Sequence, residues 1–126
     1  MNNEEYVKNA LVTESKDFEA IAARISTTEN IRLLHAAIGL ATEAGEIQDQ
    51  LKKVIFYGKP LDKTNLIEEA GDLAWYMAIL LDALGTSFDE IQEKNIAKLK
   101  ARYGDKFSEA SAMNRDLVTE RKILEG

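Results

Sequence analysis

Leu33, Ala37, Leu40, Ala44, Ile47, Leu51 and Val54 recur at alternating spacings of four and three, and Leu66, Ala70, Leu73, Met77, Leu80 and Leu84 repeat the pattern after a short break. Positions spaced this way form a stripe along one face of a helix, whereas a strand would bury every second residue. No β-branched run alternates over the length of a strand, and Pro60 is the only proline. The fold class is therefore all-α. Two seamed helices joined by a short turn predict an antiparallel hairpin at the centre of a helical bundle.

The boundaries follow from local chemistry. A first helical region covers about Asn3 to Ile25, interrupted near Thr13 to Lys16, where "TESK" breaks the apolar stripe. Ser26 with Glu29 fits a capping box that opens the first seamed helix, which Gly58 and Pro60 stop. The second seamed helix follows "YGKPLDKTN" and meets its C-terminal stop at Gly85. Ser87 with Glu90 makes another capping box for a fourth main helix, running to Gly104. The stretch from Ser108 to Gly126 is a highly charged, helix-compatible extension, suited to crossing to a partner subunit. At 126 residues the chain fits one domain, and a chain this small gains core by homo-oligomerisation, as a dimer or tetramer.

Charge and composition exclude several functions. A net charge of −6 argues against a nucleic-acid binder that works by broad phosphate neutralisation. The absence of cysteine removes disulfides, thiolate metal sites and cysteine nucleophiles, and fits a reducing, cytoplasmic setting. An acidic N-terminus without a long apolar run gives no signal peptide and no membrane span. Neither a Walker loop nor a Rossmann glycine signature is present.

What remains is the acids. Glu43 and Glu46 stand three residues apart, as do Glu69 and Asp72, so each pair shares a helix face. One such pair in a chain with 30% charged residues is ordinarily a solvated face. Two pairs flanking the seams of neighbouring antiparallel helices place four carboxylates face to face, an arrangement that repels unless a hard divalent cation occupies it. Oxygen-only ligands favour Mg²⁺ or Mn²⁺, and the lone histidine, His35, has no glutamate three residues before it to suggest a di-iron motif. Gly39 and Gly45, with Gly71 between the second pair, would let the facing helix or a ligand approach closely.

Other residues are open to two readings. Asn95, Lys98 and Arg102 form a stripe suited to phosphate oxygens, or simply the wet side of a helix. Lys52 and Lys53 are equally ambiguous. Trp75 and Tyr76 offer aromatic surface for a base or for packing, and His35 suits either the far end of an extended ligand or a structural hydrogen bond.

Taken together, "TEAGEIQDQLKK", "LIEEAGDLAWYMAILLDALG" and "NIAKLKARY" resemble the MazG-type nucleoside triphosphate pyrophosphohydrolases of the all-α NTP pyrophosphatase superfamily, over about residues 34–107. The wording "HAAIGLATEAGE" and "NRDLVTER" is similar to short, single-domain, often phage-encoded members. The resemblance implies Mg²⁺ held by Glu43, Glu46, Glu69 and Asp72, and hydrolysis of a nucleoside triphosphate to the monophosphate and pyrophosphate by a metal-activated water. It also implies that Lys98, Asn95 and Arg102 hold phosphates. The mechanism expected from the acid pairs has Glu46 or Glu43 accept the proton of that water, and the positions of Lys53, His35 and Trp75 make them candidate further substrate contacts. Specialised dUTPases, dCTPases and phosphoribosyl-ATP pyrophosphohydrolases are neighbouring alternatives, and a non-catalytic metal- or nucleotide-binding scaffold is a third. Thr42 departs from the pattern, standing where many members carry the first of two consecutive glutamates; this bears on the number of metals and the identity of the base.

Overall fold

A computed structural model describes all 126 residues, Met1–Gly126. It contains seven helices and no strand: α1 (Asn3–Leu11), α2 (Phe18–Ile25), α3 (Thr28–Tyr57), α4 (Lys63–Leu84), α5 (Phe88–Tyr103), α6 (Glu109–Met113) and α7 (Leu117–Glu125). None is long and apolar enough to cross a membrane.

The expected interruption separates α1 from α2. The Thr13 hydroxyl donates back to the Ala10 carbonyl as α1 ends, and Asp17 accepts from the Ala20 amide to start α2. The start of α3 lies one residue later than the sequence pattern predicts. Ser26 Oγ donates to the Ala23 carbonyl, at the end of α2, and Thr27 is the residue that accepts from Asn30 N, at 3.2 Å. Serine and threonine both satisfy helix ends, so neighbouring ones compete for the role and sequence alone does not choose between them. Ser87 does cap α5, but Glu90 does not complete the box: its carboxylate takes hydrogen bonds from Thr86 and Lys94 instead. Gly58 and Gly85 end α3 and α4 at φ of 68° and 72°, a left-handed conformation that disfavours any residue with a Cβ.

Helices α3 and α4 form the antiparallel hairpin. Arg32 pairs with Asp82 at its open end, Gly39 lies against Tyr76 midway, Glu43 meets Glu69 and Asp72 further on, and the turn at 58–62 closes it. Helix α2 packs against α3, while α5 packs against α6 and α7 rather than against the hairpin. The charged C-terminal extension therefore returns to its own chain. Its anchor is Glu120, whose carboxylate accepts from Arg102 Nε at 2.6 Å and from Arg115 Nη2 at 2.8 Å.

The contact line between α3 and α4 is rotated from the stripe that the sequence marks. Ala36, Gly39, Leu40, Glu43, Ile47, Gln50 and Val54 are buried or half-buried, whereas Ala37, Ala44 and Leu51 are exposed. On α4 the same rotation draws in Glu69 and Tyr76 and leaves Ala70 and Leu84 bare. Glu43 and Glu69 thus lie within the seam instead of flanking it, while Glu46 and Asp72 stay exposed at its edge. Only five of the 126 residues are buried.

A carboxylate cluster in the hairpin seam

Glu43, Glu69 and Asp72 each bring a carboxylate oxygen within 4.8 Å of the others. Helix period explains the convergence: Glu69 and Asp72 are one turn apart on α4, and antiparallel packing sets Glu43 opposite them. Glu69 is buried, Glu43 half-buried and Asp72 exposed, so the cluster runs from the seam to the surface. Glu46 joins at the edge, within hydrogen-bonding reach of Glu69 and Glu43.

Two oxygens, Oε2 of Glu43 and Oε2 of Glu69, are buried without a hydrogen-bond partner. Orphaned carboxylate oxygens in a seam are costly, because they lose water and gain nothing in exchange. The electrostatics carry the same message. Hydrogen bonding to Glu69, burial, and the charges of Glu46, Glu69 and Asp72 push the Glu43 carboxyl up to about 7. Glu46 is raised as well, first by its hydrogen bond to Glu69. Glu69, which receives those hydrogen bonds and a further one from Asn65 Nδ2 at 3.3 Å, is held below its ordinary range. Without a cation the cluster retains a proton near neutral pH. The donor set is oxygen only, which suits Mg²⁺ or Mn²⁺.

On the same edge, toward the open end, His35, Trp75 and Tyr76 form an aromatic group, with ring centroids 5.0 Å apart for Trp75–Tyr76, 5.7 Å for His35–Tyr76 and 6.4 Å for His35–Trp75. Tyr76 lies across Gly39, where a Cβ would overlap its ring. Gly45 and Gly71, by contrast, have open space above them, so the close approach expected at those two glycines does not occur. Trp75 remains 57% exposed, with surface free for a ligand.

Toward the closed end, Lys53, Lys59, Asp62 and Asn65 line a pocket of about 220 Å³. Lys53 pairs with Asp49 at 2.7 Å, as Lys52 does at 3.5 Å. The Thr42 hydroxyl donates to the Gly39 carbonyl at 3.0 Å and is turned onto its own helix.

The stripe on α5 is not brought to the acids within the chain. Asn95 is exposed, Lys98 half-buried, and Arg102 is occupied by Glu120. Asn65 and Glu120 were not legible as partners from motif spacing alone. Asn65 carries a usable signal, since it precedes Glu69 by four residues on the same face; the tie of Glu120 to Arg102 carries none, because the two are eighteen residues apart across a turn.

Comparison with known proteins identifies the family of this stretch. The family model described as "MazG nucleotide pyrophosphohydrolase domain" matches residues 33–107, the stretch that holds both acid pairs and α5. The chain is similar to the Gene 37 protein of Mycobacterium phage L5, 30% identical over 87 residues that cover 66% of this chain and 76% of that protein. No solved structure matches.

Proposed function

Because the chain belongs to the MazG nucleotide pyrophosphohydrolase family, we propose that it hydrolyses a nucleoside triphosphate to the monophosphate and pyrophosphate in a Mg²⁺-dependent reaction. The observation that carries this reading is the Glu43–Glu69–Asp72 cluster with its two partnerless buried oxygens. Glu43, Glu69 and Asp72 would hold the ion, with Glu46 at the rim. When bound, Mg²⁺ neutralises charge on the phosphate oxygens and lowers the barrier to attack by water.

The residues along this edge follow one another along the hairpin. His35 and Trp75 stand toward the open end, the acids lie about 12 Å further along α3, and Lys53 about 15 Å beyond them, at 1.5 Å per residue. The aromatic surface and the cation site, in that order, suit a base and a phosphate chain, whereas Lys53 is paired with Asp49 and lies further from the acids than a triphosphate chain extends. In this arrangement Trp75 presents the surface for the base. Glu46, at the rim and raised in proton affinity, accepts a proton from the attacking water. Thr42 takes no part as a ligand, since its hydroxyl serves the helix backbone.

The assay is pyrophosphate release from a panel of ribo-, deoxy- and modified nucleoside triphosphates, with Glu46→Gln and Asp72→Asn beside the parent chain. Loss of at least about a hundredfold in kcat is expected for Glu46→Gln if it is the base. Asp72→Asn should raise the Mg²⁺ concentration needed for half activity. Unchanged turnover in both variants would remove the assignment. Nucleotide binding without any product would instead favour the non-catalytic scaffold.

A further inference from the structure

Two carboxylates in the chain are buried, Glu69 at 7% exposure and Glu120 at 4%, and the fold treats them differently. Glu120 has a guanidinium on each oxygen, Arg102 at 2.6 Å on Oε1 and Arg115 at 2.8 Å on Oε2. That is how a buried carboxylate is matched when it ties two helices together. Glu69 has no such cation. Its Oε1 accepts from Asn65 Nδ2 at 3.3 Å, and its Oε2 is one of the two partnerless oxygens of the cluster.

Asn65 is set in place independently of Glu69. Its backbone amide donates to Asp62 Oδ1 at 3.0 Å in the first turn of α4, which leaves the half-buried side chain available for another use. Four residues on, the Glu69 side chain leans back toward the helix N-terminus, as helical side chains do, and meets it. An ionised carboxylate only accepts hydrogen bonds, so the Asn65 amide presents its NH₂ group. The other side chains bonded to Glu69 are Glu43 and Glu46, themselves acids of the cluster. Asn65 is therefore the one donor to Glu69 that an incoming cation would leave in place. Being neutral, it orients the carboxylate without cancelling the charge that attracts the cation.

We propose that Asn65 is a positioning residue of the metal site: by tying down Oε1 it fixes the plane of the Glu69 carboxylate and leaves Oε2 for the divalent cation. The inference rests on the metal-dependent reading of the Glu43–Glu69–Asp72 cluster and extends it to a residue that acts through a ligand rather than as one. Removing a hydrogen-bond partner of this kind costs about ten- to a hundredfold in metal affinity, because the ligand is then free to turn away.

The test is Mn²⁺ binding to the nucleotide-free protein, read from the loss of the free-ion EPR signal, with helical content checked by circular dichroism. Asp72→Asn marks the site and should weaken binding in its own right. Asn65→Leu, close in size but without a donor, should raise the Mn²⁺ Kd by at least about tenfold. Asn65→Ala repeats the measurement without branched bulk, so that a misfolded leucine variant does not decide the matter. Asn65→Gln keeps a neutral amide within reach of the fourth residue on and should stay within about threefold of wild type. Wild-type affinity in Asn65→Leu and Asn65→Ala, with Asp72→Asn impaired, overturns the role of Asn65 and leaves the metal reading standing. An equal loss in the glutamine and leucine variants also overturns it, since the amide donor would then not be what matters. Wild-type protein that takes up no Mn²⁺ overturns the metal reading itself, and the role of Asn65 with it.

Discussion

Replacing Gly39 with alanine separates two opposing effects that the structure makes unequal. In the middle of a helix, alanine is favoured over glycine by about 1 kcal/mol, so helix propensity alone expects stabilisation. At this position the new Cβ would overlap Cε1, Cδ1 and Cζ of Tyr76, and the ring would have to move by roughly 1.5 Å to restore normal contact. Overpacking of this kind costs about 1–3 kcal/mol. The overlap involves three ring atoms, and the ring is hemmed in by His35 and Trp75, which places the cost toward the upper part of that range. The net expectation for Gly39→Ala is a loss of about 1–2 kcal/mol, or about 3–8 °C in Tm. The same substitution in a Tyr76→Ala background should reverse sign and stabilise by up to about 1 kcal/mol, since only the propensity gain remains. Thermal unfolding of the four proteins in this cycle is the assay. Stabilisation by Gly39→Ala with Tyr76 present, or the same effect in both backgrounds, would refute the packing argument.

Three further outcomes are expected. In the metal-free protein, the Glu43 proton retained up to about pH 7 contributes stability that is fully present below the ordinary carboxylate range near 4.5 and is lost as pH rises through 7; Tm should therefore fall between about pH 5 and about pH 7.5, and Mg²⁺ should restore much more of it at the higher pH, whereas a flat profile would contradict the cluster. Trp75→Ala should raise KM for nucleotides by about five- to tenfold with little change in kcat, as steady-state kinetics will read, because a base contact away from the phosphates binds ground state and transition state alike. Glu120→Gln should accelerate amide exchange across residues 117–125 by at least about tenfold while leaving 63–84 unchanged, since Glu120 is the ionic tie between α7 and α5.

The period of the apolar residues was enough to identify the helices and the hairpin, and the turn residues Gly58, Pro60 and Gly85 placed its ends. It was not enough to fix the rotation of α3 against α4. Leu33, Leu40 and Ile47 belong to either of two adjacent stripes, one completed by Ala36, Glu43 and Gln50 and the other by Ala37, Ala44 and Leu51, and hydrophobicity alone favours the second. The structure takes the first, which puts Glu43 and Glu69 inside the seam and leaves the second stripe bare. The acid pairs were legible because helix period makes i, i+3 neighbours, and their mutual approach followed from antiparallel packing. The role of Arg102 was not legible: its spacing from Lys98 fits a phosphate stripe, but its partner Glu120 depends on how α7 returns across α5, a long-range choice that local pattern does not encode.

The most direct test of the central claim follows the phosphorus products of wild-type protein by NMR, with each nucleoside triphosphate in turn, in the presence of Mg²⁺ and after chelation. At least one nucleotide is expected to yield monophosphate and pyrophosphate in equal amounts with Mg²⁺, and none after chelation. Release of orthophosphate, turnover that survives chelation, or no product from any nucleotide would contradict it.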